Sequence, residues 1–288
     1  MASLTLREFT DPACPWAFSA EPARLRLDWL YGDQLDRRLH MVGLSERPED
    51  YLDKGFTPEL LAEGLGRIQR LYGMPIDRRP RPRMIATVEA CRAVVAARLN
   101  APWSERGMLR RLMVRAMAGE LIDEPEVIAA AADDVGIDRR ELRVWMIEPE
   151  TEAVLRADMA SARAPTQAAR ALRHKLAPTA IGWRYTCPSI EMEAEDGRRI
   201  DLPGFQDVQA YEVGIANLAP DLARRDDPSS VEEVLDWADE PLATAEVAAI
   251  CGMDVREARV ELARVADHTP VGPDGYWSLV PAEQLVPA

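Results

Sequence analysis

The sequence predicts an α/β fold: a strand–helix–strand unit and a later antiparallel strand pair frame a large helical insert, and a smaller helical unit with a hairpin follows. Three observations carry this expectation. Residues 4–9 (LTLREF) alternate apolar and polar side chains and stop at Asp11-Pro12, as a half-buried strand does. From Thr57 to about His174, apolar residues recur at three- and four-residue spacing, the period of a helix. Strand signals return at 181–192 and 198–202, with Asp196-Gly197 between them as a hairpin turn.

The elements follow in order. Residues 16–31 place Phe18, Leu25, Leu27, Trp29 and Leu30 at helical positions, with Pro22 tolerated in a first turn or as a kink. Residues 38–44 (RLHMVGL) read as a second strand, so 4–44 form a β-α-β unit with a right-handed crossover. Residues 84–99 and 108–118 are helices of the insert, and Asp123-Glu124-Pro125 starts another over 125–135 that Gly136 ends. A helix over 206–218 closes this region. The charged run Arg224-Arg225-Asp226-Asp227-Pro228 looks like a linker to a second unit. That unit holds a short helix over 230–239 and a helix-turn-helix pattern in which Thr244 caps the first helix and Ala248 and Gly252 lie at the turn. A small hairpin over 271–280 completes it as a wing. The expected division is 1–56 with 177–222, an insert at 57–176, and a C-terminal winged-helix-like unit at 228–288.

Composition narrows the functional classes. With 288 residues, 47% hydrophobic and 29% charged, the chain is an ordinary soluble globular one, not a disordered or collagen-like one. Its 35 basic and 49 acidic residues give a net charge of −14, a field that repels phosphate backbones and anionic lipid. No nucleic-acid or membrane partner is expected. The helix-turn-helix pattern does carry Arg256, Arg259 and Arg264, but residues 228–288 hold 12 acidic side chains against those 3 basic ones. A packing role or a protein partner contacting this acidic unit is expected instead. No basic segment precedes a long apolar one near the start, and nowhere do 18 apolar residues run together, so a cytoplasmic location is expected. There, structural disulfides are rare, and each of the four cysteines is either a buried small hydrophobe or a reactive thiol.

One cysteine stands apart. In Asp11-Pro12-Ala13-Cys14-Pro15-Trp16-Ala17, Cys14 falls between the first strand and the first helix. A thiol there faces unpaired backbone N–H groups and the positive end of the helix dipole, which favour thiolate and lower its pKa to roughly 3.5–7.5. A thiol of pKa about 8.5 is about 3 percent ionised at pH 7 and one of about 5.5 about 97 percent, a gain of about thirtyfold in reactive species. Cys91 (EACRAVVAARL) and Cys251 (EVAAICG) lie in apolar helical contexts and read as core thiols. His40, His174 and His268 are scattered without metal-ligand spacing, and there is no phosphate-binding glycine loop, Rossmann fingerprint or serine nucleophile elbow. Neither a metal nor a resident cofactor is expected.

Asp-Pro-x-Cys-Pro-Trp after a first strand resembles the DsbA-like thioredoxin family, and within it the cytoplasmic branch of FrnE-type dithiol-disulfide isomerases related to 2-hydroxychromene-2-carboxylate isomerases. Met84 to Gly136, with GELIDEPEVIAAAADDVGID near its end, is similar to that branch's inserted helical domain. Cys187-Pro188-Ser189, the following hairpin and the helix over 206–218 resemble the family's cis-proline loop and last elements. The resemblance spans about residues 4–220 and implies a thioredoxin-like fold with an inserted helical domain. It also implies that Pro188 is cis and that Cys187 faces Cys14, although they lie 173 positions apart.

One departure bears on mechanism. Redox members of the family usually carry Cys-x-x-Cys, and here the fourth position is Ala17. The second cysteine ordinarily attacks the mixed disulfide formed by the first and frees the substrate. Three readings stay open: Cys14 is resolved by a low-molecular-weight thiol, Cys187 replaces the missing partner, or redox chemistry has been left behind. Pro15, Trp16, Pro188, Trp183 and Tyr185 are the residues expected around a bound protein or small-molecule thiol or disulfide. The leading expectation is a thiol-disulfide oxidoreductase using Cys14. Its alternatives are a non-catalytic adaptor on the same fold, or a thiol-dependent small-molecule isomerase or transferase.

Overall fold

The computed structural model describes residues 4–238 and 240–279; Val280, the last residue of the expected wing, lies outside them. The central sheet has the order β2-β1-β5-β6. Strand β1 (Leu4–Thr10) runs parallel to β2 (Leu35–Met41), pairing Leu4 with Leu35, and antiparallel to β5 (Ser189–Ala194). Strand β6 (Arg199–Leu202) completes the sheet through the Asp196-Gly197 hairpin, where Gly197 has φ of 83°. The two short strands β3 (Leu176–Thr179) and β4 (Gly182–Tyr185) form a separate antiparallel pair. The expected strand over 181–192 is therefore two strands, interrupted at 186–188, and the strand over 176–179 is one the sequence does not signal.

Between β1 and β2 the chain makes two helices, not one: α1 (Pro15–Ser19) and α2 (Glu21–Tyr31). Pro22 sits in the first turn of α2, where its missing N–H costs nothing, and its ring excludes a continuous helix through residue 18. β2 also starts three residues earlier than expected. The polar side chains Asp36, Arg37 and Arg38 mask its pattern, whereas Val42 to Leu44 continue as irregular chain. Between β2 and β3 lie α3 (Glu49–Leu52), α4 (Pro58–Tyr72), α5 (Val88–Asn100), α6 (Glu105–Met117), α7 (Pro125–Asp134), α8 (Arg139–Met146), α9 (Pro149–Ala162) and α10 (Gln167–Ala171). Their ends follow local rules. The Thr57 side chain accepts from Leu60 N ahead of Pro58, and Gly73 closes α4 with φ of 73°, a left-handed cap.

β1 is buried on both sides. Leu4 and Leu6 join Leu25 and Trp29 of α2 and Tyr211 and Ile215 of α11 (Val208–Leu218) in one apolar cluster, while Phe9 joins Val94, Met108 and Leu155 of the helical segment in another. This sandwich brings the C-terminal end of β1, and hence Cys14, against the helical segment. Among the described residues no helix is long and apolar enough to cross a membrane.

After α11 the segment read as a linker is tied to α2. Arg225 N donates to Leu30 O at 2.8 Å, Trp29 Nε1 donates to Asp226 O at 2.9 Å, and Arg26 pairs with Asp227 at 2.6 Å. Then come α12 (Val231–Ala238), β7 (Leu242–Ala243), α13 (Thr244–Cys251), α14 (Val255–Val265), β8 (Ala266–Val271) and β9 (Asp274–Leu279), with strand order β7-β9-β8. Ala243, not Thr244, is the N-cap of α13; the Thr244 hydroxyl instead donates to Asp274 and accepts from Trp277 Nε1. Gly252 closes α13 with φ of 65° and opens the turn to α14.

Candidate active site

Cys14 is the N-cap of α1: its backbone is extended, Pro15 occupies the first helical position, and Trp16 and Ala17 supply the next two N–H groups. Those two N–H groups are among the unpaired donors that every helix start leaves. Both lie at the Cys14 end of the helix and favour its thiolate over its thiol. The position where a second cysteine would stand thus still serves the first through its backbone.

Cys187 lies directly beside it. The Cys14 thiol reaches the Cys187 carbonyl oxygen at 3.4 Å, and the Cys187–Pro188 peptide is cis. The adjacent Cys187 thiol is the largest influence on Cys14 and lowers its pKa; burial and the Asp11 charge oppose it. Cys187 moves the other way, well above an ordinary thiol, through burial first and then the adjacent Cys14. Burial also pushes up Cys91 well above the usual range and Cys251 to about 11. All four cysteines are unpaired.

Asp11 anchors the loop beneath. Its carboxylate is fully buried and accepts from Ala13 N at 2.9 Å, Leu44 N at 2.9 Å, the Thr87 hydroxyl at 2.8 Å and the Cys91 thiol at 3.5 Å. Its own carbonyl accepts from Cys14 N at 3.0 Å. One side chain thereby joins the Cys14 loop, the exit of β2 and the start of α5. Burial raises the Asp11 carboxyl pKa against these hydrogen bonds.

Cys14 and Cys187 share the floor of a cleft of about 800 Å³ whose far wall is α4. Pro15 and Trp16 line it, and Trp16 makes edge contacts with Tyr72 at 5.7 Å and Phe205 at 6.1 Å between ring centroids. Three expected substrate contacts do not line it. Tyr185 is buried, stacked on Phe9 at 4.2 Å with its hydroxyl donating to Glu191 at 2.6 Å. Trp183 is part-exposed on the β3–β4 hairpin, paired with Pro178. Pro188 lies behind the cleft, on a small cavity of about 30 Å³ with Glu8, Ala17 and Tyr211. Alternation accounts for Tyr185 and Trp183: only Arg184 between them, with Thr186 and Cys187 beyond, faces the cleft.

The residues sequence reasoning missed are on the opposite wall: Tyr51, Lys54, Arg67 and Arg81. They come from three separate segments, and no motif flags any of them. Among the described residues no group of three or more histidine, cysteine or acidic side chains is arranged to hold a metal ion.

A family model described as the DSBA-like thioredoxin domain matches residues 5–165, more than half of the chain. The chain belongs to this family. Similar solved structures include a candidate protein disulfide isomerase from Nitrosomonas europaea, at 17% identity, 75% of this chain, 97% of that one and a TM-score of 0.57. A probable DsbA oxidoreductase from Streptomyces coelicolor matches at 15% identity, 77% of this chain, 93% of that one and a TM-score of 0.52. The cytosolic disulfide reductase DsbM from Pseudomonas aeruginosa matches at 25% identity, 72% and 91%, with a TM-score of 0.48. The first two share the thioredoxin-like fold at identities too low to speak to activity. No curated protein matches the chain.

Proposed function

We propose that the chain is a thiol-disulfide oxidoreductase whose nucleophile is Cys14. The observation that carries this reading is the place of Cys14, at the N-cap of α1 and on the floor of the cleft beside Cys187 and its cis peptide; there its pKa is lowered, while those of Cys91, Cys187 and Cys251 are raised. A thiolate attacks a disulfide R–S–S–R, forming Cys14–S–S–R and expelling R–S⁻. The same N–H groups that stabilise the Cys14 thiolate make it a good leaving group in the next step.

Release of the second half then needs another thiolate. Cys187 is poorly suited to supply it, because burial and the adjacent Cys14 raise its pKa well above that of an ordinary thiol and so favour the unreactive S–H form. A low-molecular-weight thiolate R′–S⁻ entering the cleft attacks the substrate sulfur instead, giving R′–S–S–R and regenerating the Cys14 thiolate. In this reading Cys187 tunes Cys14 through its adjacent thiol rather than resolving it. The four unpaired cysteines support a reducing compartment, hence a cytoplasmic location.

The test is disulfide exchange with an added small thiol, followed by mass spectrometry of the trapped intermediate. Wild type and Cys187→Ser should both turn over and accumulate a mixed disulfide on Cys14, and Cys14→Ser should do neither. Full activity in Cys14→Ser would sink the proposal; loss in Cys187→Ser with a Cys14–Cys187 disulfide in wild type would transfer the resolving role to Cys187.

A further inference from the structure

The cleft's charge is at odds with the chain's. In a protein of net charge −14, the cleft lining contains Lys54, Arg67, Arg81 and Arg184 and no aspartate or glutamate. Nor are these cations neutralised by internal carboxylates: among the described residues none of the four forms an ion pair, whereas most of the other arginines do, as Arg37, Arg83 and Arg110 show. Arg81 is buried with one guanidinium nitrogen donating to Ala116 O, and Arg184 donates to Tyr185 O at 2.8 Å. Lys54 lies 5.7 Å from the centre of the Tyr51 ring. Unpaired cations around a part-enclosed apolar cavity focus a positive field into it.

Building on the oxidoreductase reading, we propose that the cleft selects a small disulfide or thiol bearing carboxylates, held by Lys54, Arg67, Arg81 and Arg184 with its sulfur at Cys14. The remaining lining is largely apolar, including Leu60, Leu65, Ile68 and Met84, and the volume of about 800 Å³ is that of a small-molecule site rather than of an extended polypeptide groove. The reaction is the exchange already written, R–S–S–R plus R′–S⁻ giving R′–S–S–R plus R–S⁻, with the R groups anionic.

The experiment compares three symmetrical disulfides: dianionic dithiobis(nitrobenzoate), neutral bis(hydroxyethyl) disulfide and dicationic cystamine. The rate of mixed-disulfide formation on Cys14, located by peptide mapping, is divided by the rate of the same reagent with a free small thiol to remove intrinsic reactivity. The normalised rate of the dianion should exceed that of the dication by about tenfold or more at low salt, and the ratio should shrink at high salt. Lys54→Gln, Arg67→Gln and Arg184→Gln together should abolish most of the preference; they spare the buried Arg81, so the comparison does not hang on its fold. An acidic peptide carrying the thionitrobenzoate mixed disulfide should react more slowly than the free dianion. Equal normalised rates for all three charges, a preference unchanged in the triple variant, or faster reaction of the peptide would overturn the inference. Failure of Cys14 to react with any of the disulfides would instead overturn the oxidoreductase reading itself.

Discussion

Asp11 shows how much one buried side chain does for the site. It accepts from two backbone N–H groups, the Thr87 hydroxyl and the Cys91 thiol, so Asp11→Ala strands several buried donors at a cost of about 1–3 kcal/mol each. A destabilisation of about 4 kcal/mol or more is expected in denaturant unfolding. Asp11→Asn removes the charge that opposes the Cys14 thiolate, and alkylation of Cys14 should then reach half-maximum at a lower pH than in wild type. Asp11 stands inside the motif that singles out Cys14, yet its role was not legible, because its partners come from β2 and α5. Cys14 and Cys187 were legible through motif and loop resemblance. Lys54, Arg67, Arg81 and Arg184 were not, because an arginine facing a cleft and an arginine on a solvated helix look alike in sequence.

At the scale of elements, the break between α1 and α2 keeps the Cys14 helix to five residues and turns α2 along the sheet. Ala17, at the third position of α1 and buried, is where a second cysteine would meet Cys14. Ala17→Cys should therefore form a disulfide between Cys14 and the introduced thiol on oxidation, seen as the loss of two hydrogens by intact mass. The reduced variant should also release both halves of a substrate disulfide in a single turnover without an added small thiol, ending in that same internal disulfide. A protein that stays fully reduced under the same oxidant would show that the loop no longer admits the pair. The missed strand β3 and the shifted β2 have plain causes. β3 is four residues long with Pro178 within it, and in β2 the charged Arg37 turns inward because Glu8 and Asp28 pair with it. Period-two patterning reads such a residue as solvent-facing.

For the whole molecule, the C-terminal unit is bound into the fold rather than hung from it. Glu246 of α13 is fully buried and accepts from Arg110 of α6 at 2.8 Å, and the Arg110 guanidinium lies 5.9 Å from the centre of the Tyr276 ring. In Glu246→Gln the buried Arg110 keeps only its longer contacts to Glu21 at 3.7 Å and Glu240 at 3.9 Å, so the change should cost about 3 kcal/mol in denaturant unfolding. At the wing tip, a Cβ on Gly272 would come within 2.3 Å of the Ile76 carbonyl oxygen, a contact only glycine permits in a residue with φ of 58°. The wing tip thus rests on the segment leading from α4, the cleft wall, to Arg81. Two arginines of the helix-turn-helix pattern are paired with carboxylates of their own unit, Arg259 with the buried Asp274 and Arg264 with Glu261 at 2.7 Å on the surface.

The lowered pKa of Cys14 also fixes a sign at this scale. A thiol depressed in the folded state adds stability that is complete above its unfolded pKa of about 8.5 and is lost as pH falls through the lower folded value. The stability difference between wild type and Cys14→Ser should accordingly grow in favour of wild type as pH rises to about 9. The measurement that bears most directly on the whole account is the pH dependence of Cys14 alkylation in wild type and in Cys187→Ala. A midpoint below the ordinary thiol value of about 8.5 is expected in wild type, with a rise toward it when the Cys187 thiol is removed. A wild-type midpoint at or above about 8.5, unmoved by Cys187→Ala, would make Cys14 an inert thiol and contradict the account.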